Sequence, residues 1–347
     1  MGKDKVYIIL VNYKNWEDTA ECLESLFKLD YLNYQIIVVD NSEDNESVKH
    51  LINFFERKFN IWTPPENPLR DKSIPPMENT ILYLYLEENE DKELIPKKTN
   101  AKNKDPKVIL IKAKENRGFA AGNNLGIKYA LKNNDFKYVW LLNNDTVVEK
   151  DSLRNMVEYM NKNSDVGVLG SKLVLYFEPE YIQVAGGGRF SKFLLRAKHF
   201  GRMSKIDDWK EETELDHVIG ASMFVRKEII ERELIDEDFF MYVEETEWCT
   251  RIKKMGYRLV YFPESIVYHK ESVTIGKKNP IFFYYNSRNF LYFMKKHYRL
   301  RLPFFIIYLV IRNSILSLKY KDKGIIHYSL KGFKDFLLNK KGKFVDK

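Results

Sequence analysis

The chain has 347 residues, 44% of them hydrophobic and 31% charged, enough apolar material for a real core in one large or two ordinary domains. Two cysteines, Cys22 and Cys249, exclude a disulfide framework and fit a reducing compartment. The formal charge of +8 is uneven, because residues 277–347 hold 17 Lys/Arg against 3 Asp/Glu; a basic, aromatic-rich tail on a mildly acidic body points to an anionic partner surface.

The N-terminus, MGKDKVYIILVNY, enters a strand directly and lacks the pattern of a signal peptide. Residues 6–11 (VYIILV) form a continuous apolar run and read as the first strand, with Asn12 and Tyr13 at its carboxyl end. Residues 16–28 turn helical, with Ala20, Leu23, Leu26 and Phe27 on one face and four carboxylates on the other. A second strand, 35–39, ends at Asp40, Asn41 and Ser42, and a helix follows over 46–57. This β-α-β-α start, with polar residues at both strand tips, belongs to a doubly wound sheet. Residues 60–106 carry seven prolines and many charges, so they read as an inserted loop or flap outside the core, with 81–88 as its edge-strand candidate.

A third strand, 108–111, leads into KENRGFAAGNNLGIKYAL (114–131). Gly118 and Gly122 bracket a tight turn that opens a helix, and such a loop presents backbone N–H groups to phosphate or nucleotide. The apolar run Tyr138–Leu142 then reads as a strand buried on both faces and ends at Asn143, Asn144 and Asp145. One carboxylate flanked by amides at a strand tip suits a hard divalent cation; the same triplet also suits an Asx-capped turn before a helix over 151–161. Short strands are expected at 166–169 and 172–176, a sharp loop at Gly186–Gly188, and a strand-like run at 217–225 in which Gly220 and Ala221 allow close backbone approach.

In the stretch 236–257, Glu244, Glu245 and Glu247 crowd the start of a helix that stops at Gly256. The macrodipole explains carboxylates there, and so does a general base facing a reaction centre. A strand over 258–262 follows, then His269 in a turn expected to be exposed. Two tail helices, 284–298 and 303–319, complete the pattern. The apolar run Leu302–Val310 is only nine residues, too short to span a bilayer, and with its basic flanks it reads as a helix lying at an interface or packed on the main domain.

Seven segments occur in order: VNYKN (11–15), VVDNS (38–42), ENRGFAAGNNLGI (115–127), WLLNNDTVV (140–148), GASMFVRKEII (220–230), DEDFFMYVEETEWCTRIKKMGYRL (236–259) and VYHKES (267–272). Together they resemble glycosyltransferase family 2, and within it the rhamnosyltransferase-like enzymes. The resemblance covers about residues 5–300 and implies an α/β, GT-A fold, a Rossmann-like mixed central sheet flanked by helices. Residues 1–276 would be the catalytic domain and 277–347 a helical tail.

By that resemblance Asp40 bonds the base, Asn12 and Tyr13 line its pocket, and Asn116, Arg117, Gly118 and Asn123 line the nucleotide side of the donor site. Asn143 and Asn144 of the NND triplet, with Gly220 and Ala221, border the nucleotide-sugar. Asp145 stands where the DxD motif contacts a divalent cation (Mg²⁺ or Mn²⁺), and His269 matches the late histidine that completes the metal or diphosphate site. The Glu244–Glu245 pair takes the place of the family's Glu-Asp pair, with Glu245 as the base of an inverting displacement, Glu244 as the alternative and Glu247 as a third candidate. Two departures stand out: Asn143 replaces the first acidic residue of DxD, and Glu245 replaces an Asp. The partners implied are a dTDP- or UDP-linked sugar donor and a saccharide or lipid-linked acceptor, in surface polysaccharide synthesis. The tail would hold the protein at an anionic membrane, on the cytoplasmic face. A nucleotidyltransferase is disfavoured because VNYKNWEDT lacks a Gly- and Arg-rich loop. A non-catalytic assembly protein is disfavoured because all the acidic candidates are present. No nucleic-acid module motif accompanies the basic tail.

Overall fold

A computed structural model describes residues 4–191, 196–270 and 280–344. The first half alternates strand and helix: β1 (Val6–Asn12), α1 (Trp16–Phe27), β2 (Tyr34–Asp40), α2 (Glu46–Phe55), α3 (Arg70–Ser73), β3 (Tyr83–Glu88), β4 (Leu94–Thr99), β5 (Val108–Lys112), α4 (Phe119–Asn133), β6 (Tyr138–Asn143), β7 (Thr146–Val148) and α5 (Ser152–Lys162). The second half is richer in strands: β8 (Val166–Leu175), β9 (Ile182–Ala185), β10 (Gly187–Ser191), β11 (Arg196–His199), β12 (Thr213–Leu215), β13 (His217–Val218), β14 (Ser222–Arg226), α6 (Lys227–Ile230), α7 (Glu244–Lys254) and β15 (Arg258–His269). Three helices close the chain, α8 (Pro280–His297), α9 (Leu302–Tyr320) and α10 (Gly324–Leu337).

The main sheet runs β12-β15-β8-β14-β6-β1-β2-β5-β3-β4. Strands β6, β1, β2, β5 and β3 are parallel, while β14 lies antiparallel between β6 and β8 and makes the sheet mixed. Alternate residues serve opposite faces, as a pleated strand requires. From β1, Ile8 and Leu10 join the cluster under α1, α2 and α5, whereas Tyr7 and Ile9 join the one under α4 and α7. Burial on both faces explains why β1, β2, β5 and β6 are almost unbroken apolar runs. The parallel register sets polar residues side by side at one edge: Asn12 pairs with Asp40, Asp40 with Lys112, and Val11 with Asn143.

Several expectations change. The 60–106 segment is not a flap outside the core. Its β3 is an inner strand between β5 and β4, with Tyr83, Tyr85 and Leu86 buried, and β4 is the polar edge. Prolines and charges dominate the segment's composition and hide the four-residue apolar core of β3. The two strands expected around Gly170 form one strand, β8, and the strand expected over 258–262 runs on to His269 as β15, irregular between Phe262 and Ile266. The run 217–225 breaks at residues 219–221 into β13 and β14. Gly187 and Gly188 open β10 rather than lying in a loop; β13 and β11 pack so close that a Cβ on either would lie 2.0 Å from a backbone carbonyl. His269 is not in an exposed turn; it ends β15 and is buried. The last two residues of the VYHKES segment lie outside the described residues.

The tail is a three-helix unit in which α8 and α10 contact closely. Helix α9 runs well past the nine residues expected of its apolar core. Arg312, which seemed to interrupt it, turns back to Asn313 and to Asn286 of α8, at 2.9 and 3.2 Å. Within residues 299–320 an 18-residue window has mean hydropathy 1.5, so this helix is long and apolar enough to cross a membrane by length and composition.

Candidate active site

The polar residues gather where the parallel strands end, the place where open α/β sheets bind ligands. Asp40 is fully buried, and both its oxygens are engaged. Oδ1 accepts from Asn12 Nδ2 at 2.7 Å and Ser42 Oγ at 2.8 Å, and Oδ2 pairs with Lys112 Nζ at 2.8 Å. In this structure, then, Asp40 braces the pocket floor. Asn12, also fully buried, passes the network on: its Oδ1 accepts from Thr19 and from Asn144 Nδ2. Tyr13, at the lip, is half-buried and donates to Glu43.

The glycine-bearing loop is built around close approach. Gly118 has φ +93°, and a Cβ there would lie 2.0 Å from the carbonyl oxygen of Phe240, so only glycine fits without a shift. Its carbonyl accepts from Asn41 Nδ2 and its N–H donates to Asn116 Oδ1, both at 3.0 Å. Asn123 turns inward and caps the carbonyl of Phe119. Arg117 does not reach freely into the pocket; its Nη2 binds both oxygens of Glu88, at 2.6 and 2.8 Å. Glu88 comes from β3, inside the segment first read as a flap. On the far side a Cβ on Gly220 would lie 3.3 Å from the ring of Phe119, and the carbonyl of Ala221 accepts the N–H of Asn143 at 3.0 Å.

The next cluster joins Asp145 and His269. Strand β7 pairs with the end of β15, and the carbonyl of Asp145 accepts the N–H of Lys270, so two distant segments meet through backbone. Asp145 Oδ1 lies 3.2 Å from His269 Nε2, and Asn143 Nδ2 lies 3.3 Å from the same nitrogen. Gln183 Oε1 accepts the Nδ1–H at 2.9 Å, which holds the ring with Nε2 toward Asp145. Asp145 Oδ2 is buried and has no partner. Burial pushes the Asp145 carboxyl up, but the bond and charge of His269 outweigh it and hold it below the usual carboxylate range. A carboxylate with an orphan oxygen, beside an imidazole nitrogen held from behind, fits a divalent cation. The protein offers two ligands: among the described residues no group of three His, Cys, Asp or Glu converges.

The third cluster is the start of α7. Tyr242 and Val243 have φ +68° and +76°, a region side-chain-bearing residues rarely adopt and a β-branched valine least of all. The kink delivers Glu244 and Glu245 to the helix N-terminus. Glu244 is buried, with Oε2 unpartnered, while Glu245 is half-buried. Burial raises the Glu245 carboxyl to about 7, and burial together with the neighbouring Glu245 charge raises Glu244 well above its ordinary value. Glu247 differs: Arg251, Lys296 and His297 surround it, and it belongs to an ion-pair network, which rules it out as a base kept near neutrality. Sequence reading missed Gln183, Lys112 and Glu88. Only Lys112, a charge at the end of an apolar strand, left a local signal.

A mixed central sheet with polar strand ends, a glycine-opened helix beside them and helices on both faces is an architecture of the GT-A kind. The chain belongs to glycosyl transferase family 2, whose model matches residues 7–67 and 90–233. The dTDP-rhamnosyl transferase RfbF of Shigella flexneri is 25% identical over 263 residues, covering 71% of this chain and 85% of its own. The low-salt glycan biosynthesis hexosyltransferase Agl10 of Haloferax volcanii is 26% identical over 141 residues, 40% of this chain and 44% of Agl10. The fold is shared with the mannosyltransferase PcManGT of Pyrobaculum calidifontis, solved with GDP-Man and Mn²⁺, at TM-score 0.55 and 13% identity over 98% of this chain and 89% of that one. It is also shared with GalNAc-T7, solved with UDP, GalNAc and Mn²⁺, at TM-score 0.52 and 13% identity over 77% of this chain. The chain spans less than half the length of Agl10 and of GalNAc-T7.

Proposed function

We propose that the chain transfers a sugar from a nucleoside-diphosphate donor, dTDP- or UDP-linked, to a saccharide or lipid-linked acceptor in surface polysaccharide synthesis, with inversion. Rhamnose is the first sugar to test, because RfbF is a dTDP-rhamnosyl transferase. The observation that carries the reading is the Asp145–His269 pair, with its buried orphan oxygen and its ring fixed by Gln183. Those two residues would hold a divalent cation, Mg²⁺ or Mn²⁺, which when bound supplies positive charge against the leaving diphosphate. Glu245 takes the proton of the acceptor hydroxyl. That oxygen attacks the anomeric carbon as the bond from carbon to the β-phosphate oxygen breaks, and the nucleoside diphosphate leaves with the electron pair. Glu245 suits the role because it is half-open and titrates near neutrality, whereas Glu244 is closed off. The glycine loop, Asn144 and Gly220 would border the donor.

The test is a donor screen on the purified protein, with dTDP-rhamnose and UDP-sugars compared first. Nucleoside diphosphate release should require Mg²⁺ or Mn²⁺ and stop with a chelator. If no donor gives metal-dependent release, the reading falls.

The tail supports a further part of the proposal, contact with an anionic membrane. Helix α9 buries one stripe, Phe305, Leu309, Asn313 and Ser317, and leaves Phe304, Ile307, Ile311, Ile315 and Leu318 outside, Phe304 at 68% and Leu318 at 79% exposure. Arg299, Arg301, Lys319, Lys321 and Lys323 flank that apolar face. An apolar strip with cationic ends suits the headgroup layer of an anionic bilayer. The buried stripe keeps α9 docked on its neighbours, so it would lie on the surface and not cross. Vesicles of anionic lipid should sediment the protein at low salt and release Ile307→Glu/Ile311→Glu. Equal sedimentation of that variant would refute the contact.

A further inference from the structure

We propose that Asn289, on the tail helix α8, is a positioning residue for the Glu244–Glu245 pair, so that the C-terminal helices are part of the reaction centre. The proposal rests on the reading of Glu245 as base given above.

Asn289 is fully buried and sits 44 positions beyond Glu245 in the chain. Its Nδ2 donates to the carbonyls of Met241 and Tyr242, at 2.8 and 2.9 Å. Tyr242 and Val243 are the two left-handed residues that turn the chain into α7. Two consecutive residues in that conformation are costly unless something outside the turn holds them, and here one amide holds the carbonyls on either side of the first. Nothing local replaces it, since Val243, the residue preceding α7, makes no side-chain cap.

The amide is itself oriented. Arg288 Nε donates to Asn289 Oδ1 at 3.1 Å, which directs both amide hydrogens at the loop. Arg288 is fully buried against the rings of Tyr284 and Tyr285, and its Nη1 reaches the Tyr284 hydroxyl, which in turn donates to Asp335 of α10. A buried arginine, asparagine and aspartate in one chain of bonds is an expensive arrangement for helices that serve only as an anchor. The loop's other side is held by the donor region: the carbonyl of Phe240 accepts the N–H of Phe119, and Asn124 brackets Ile235 through both its amide oxygen and its amide nitrogen. The ring of Phe240 stacks on Tyr285 of α8. The carboxylate loop is thus clamped between the glycine loop and the tail.

The experiment compares Asn289→Asp with the parent and with Glu245→Gln. Aspartate keeps the shape and the Arg288 bond but removes both donors. A misplacement of the base by about 1 Å costs on the order of 10²-fold in turnover, so kcat should fall tenfold or more while the donor KM stays within twofold. The rising limb of kcat against pH should also move, because Glu245 titrates in surroundings the loop creates together with Glu244 and Tyr242. Unchanged kcat and an unchanged limb in a folded Asn289→Asp protein would overturn the proposal. If Asn289→Asp does not fold, Arg288→Lys, which removes the orienting bond together with the Nη1 contact to Tyr284 but leaves the Asn289 amide in place, should show the same split at smaller size, and parent-like kinetics there would overturn it. Full turnover by Glu245→Gln would instead strike down the base assignment, whatever Asn289→Asp does.

Discussion

Asp145 and Glu245 are both carboxylates drawn out of water at the end of a regular element, yet the fold sets them on opposite sides of their ordinary range. Burial pushes each one up. At Asp145, a histidine 3.2 Å from Oδ1 and the nearby charge of Lys270 reverse the push, so the group stays ionised while Oδ2 is left without a partner among the described residues. At Glu245 no cation among the described residues offsets burial, its coupled neighbour Glu244 is itself a glutamate, and the push stands. Desolvation is common to both; the sign of the neighbour decides which is a standing anion and which exchanges a proton near neutral pH.

The sharpest way to break that comparison is at Asp145. Asp145→Asn should lower turnover by about 10³-fold and abolish Mn²⁺ binding followed by electron paramagnetic resonance, with the fold intact by circular dichroism. Retained Mn²⁺ affinity would show that the orphan oxygen is not a ligand. Next comes Glu245→Gln, expected to cost about 10²-fold while leaving donor affinity unchanged. The sign with pH follows from the raised carboxyl: the base form grows as pH rises through about 7, so kcat should climb roughly tenfold per unit below that point and level off above it. The variant should lose this limb; if the limb survives, the raised group in control is Glu244.

How far these differences could be read from sequence depends on where the deciding contact comes from. The parallel core was legible, because strands buried on both faces are apolar throughout and their polar tips stand out, as at Asn12, Asp40 and Asn143. Strand β3 was obscured because its prolines and charges belong to the loops and edge strand around it. The acidic candidates were legible by type and order, but their protonation was not. Gln183 lies 86 positions from His269, and the Arg251–Lys296–His297 set around Glu247 is split between two helices. The tail shows the same limit. Helix α9 announces its apolar residues and the structure leaves many outside, whereas α8 carries Ser287, Arg288 and Asn289 and the structure buries all three completely. A helical period predicts that a face exists, and only the neighbours determine which face is covered.

The smallest effect on chemistry, and the one that most narrowly defines the contrast, belongs to Glu247. It is two positions from Glu245 on the same first turn of α7, and its side chain is fully buried. Burial again pushes it up, but His297 and Lys296, each with a nitrogen 2.9 Å from Oε1, and Arg251 on Oε2 bring it down to about 2. Because the folded value lies below the unfolded one, its contribution to stability is complete above about pH 4.5 and is lost as pH falls toward 2, with a size of roughly 3 kcal/mol. Glu247→Gln should therefore melt several degrees lower at pH 7, and the gap should close progressively in acid. Its kcat and pH limb near 7 should stay within about twofold of the parent, as for a residue that makes no contact with substrate. A large loss of turnover with unchanged stability would mean that this third carboxylate has been placed in the wrong class, and that neighbouring cations do not separate the structural acid from the reacting one in this helix turn.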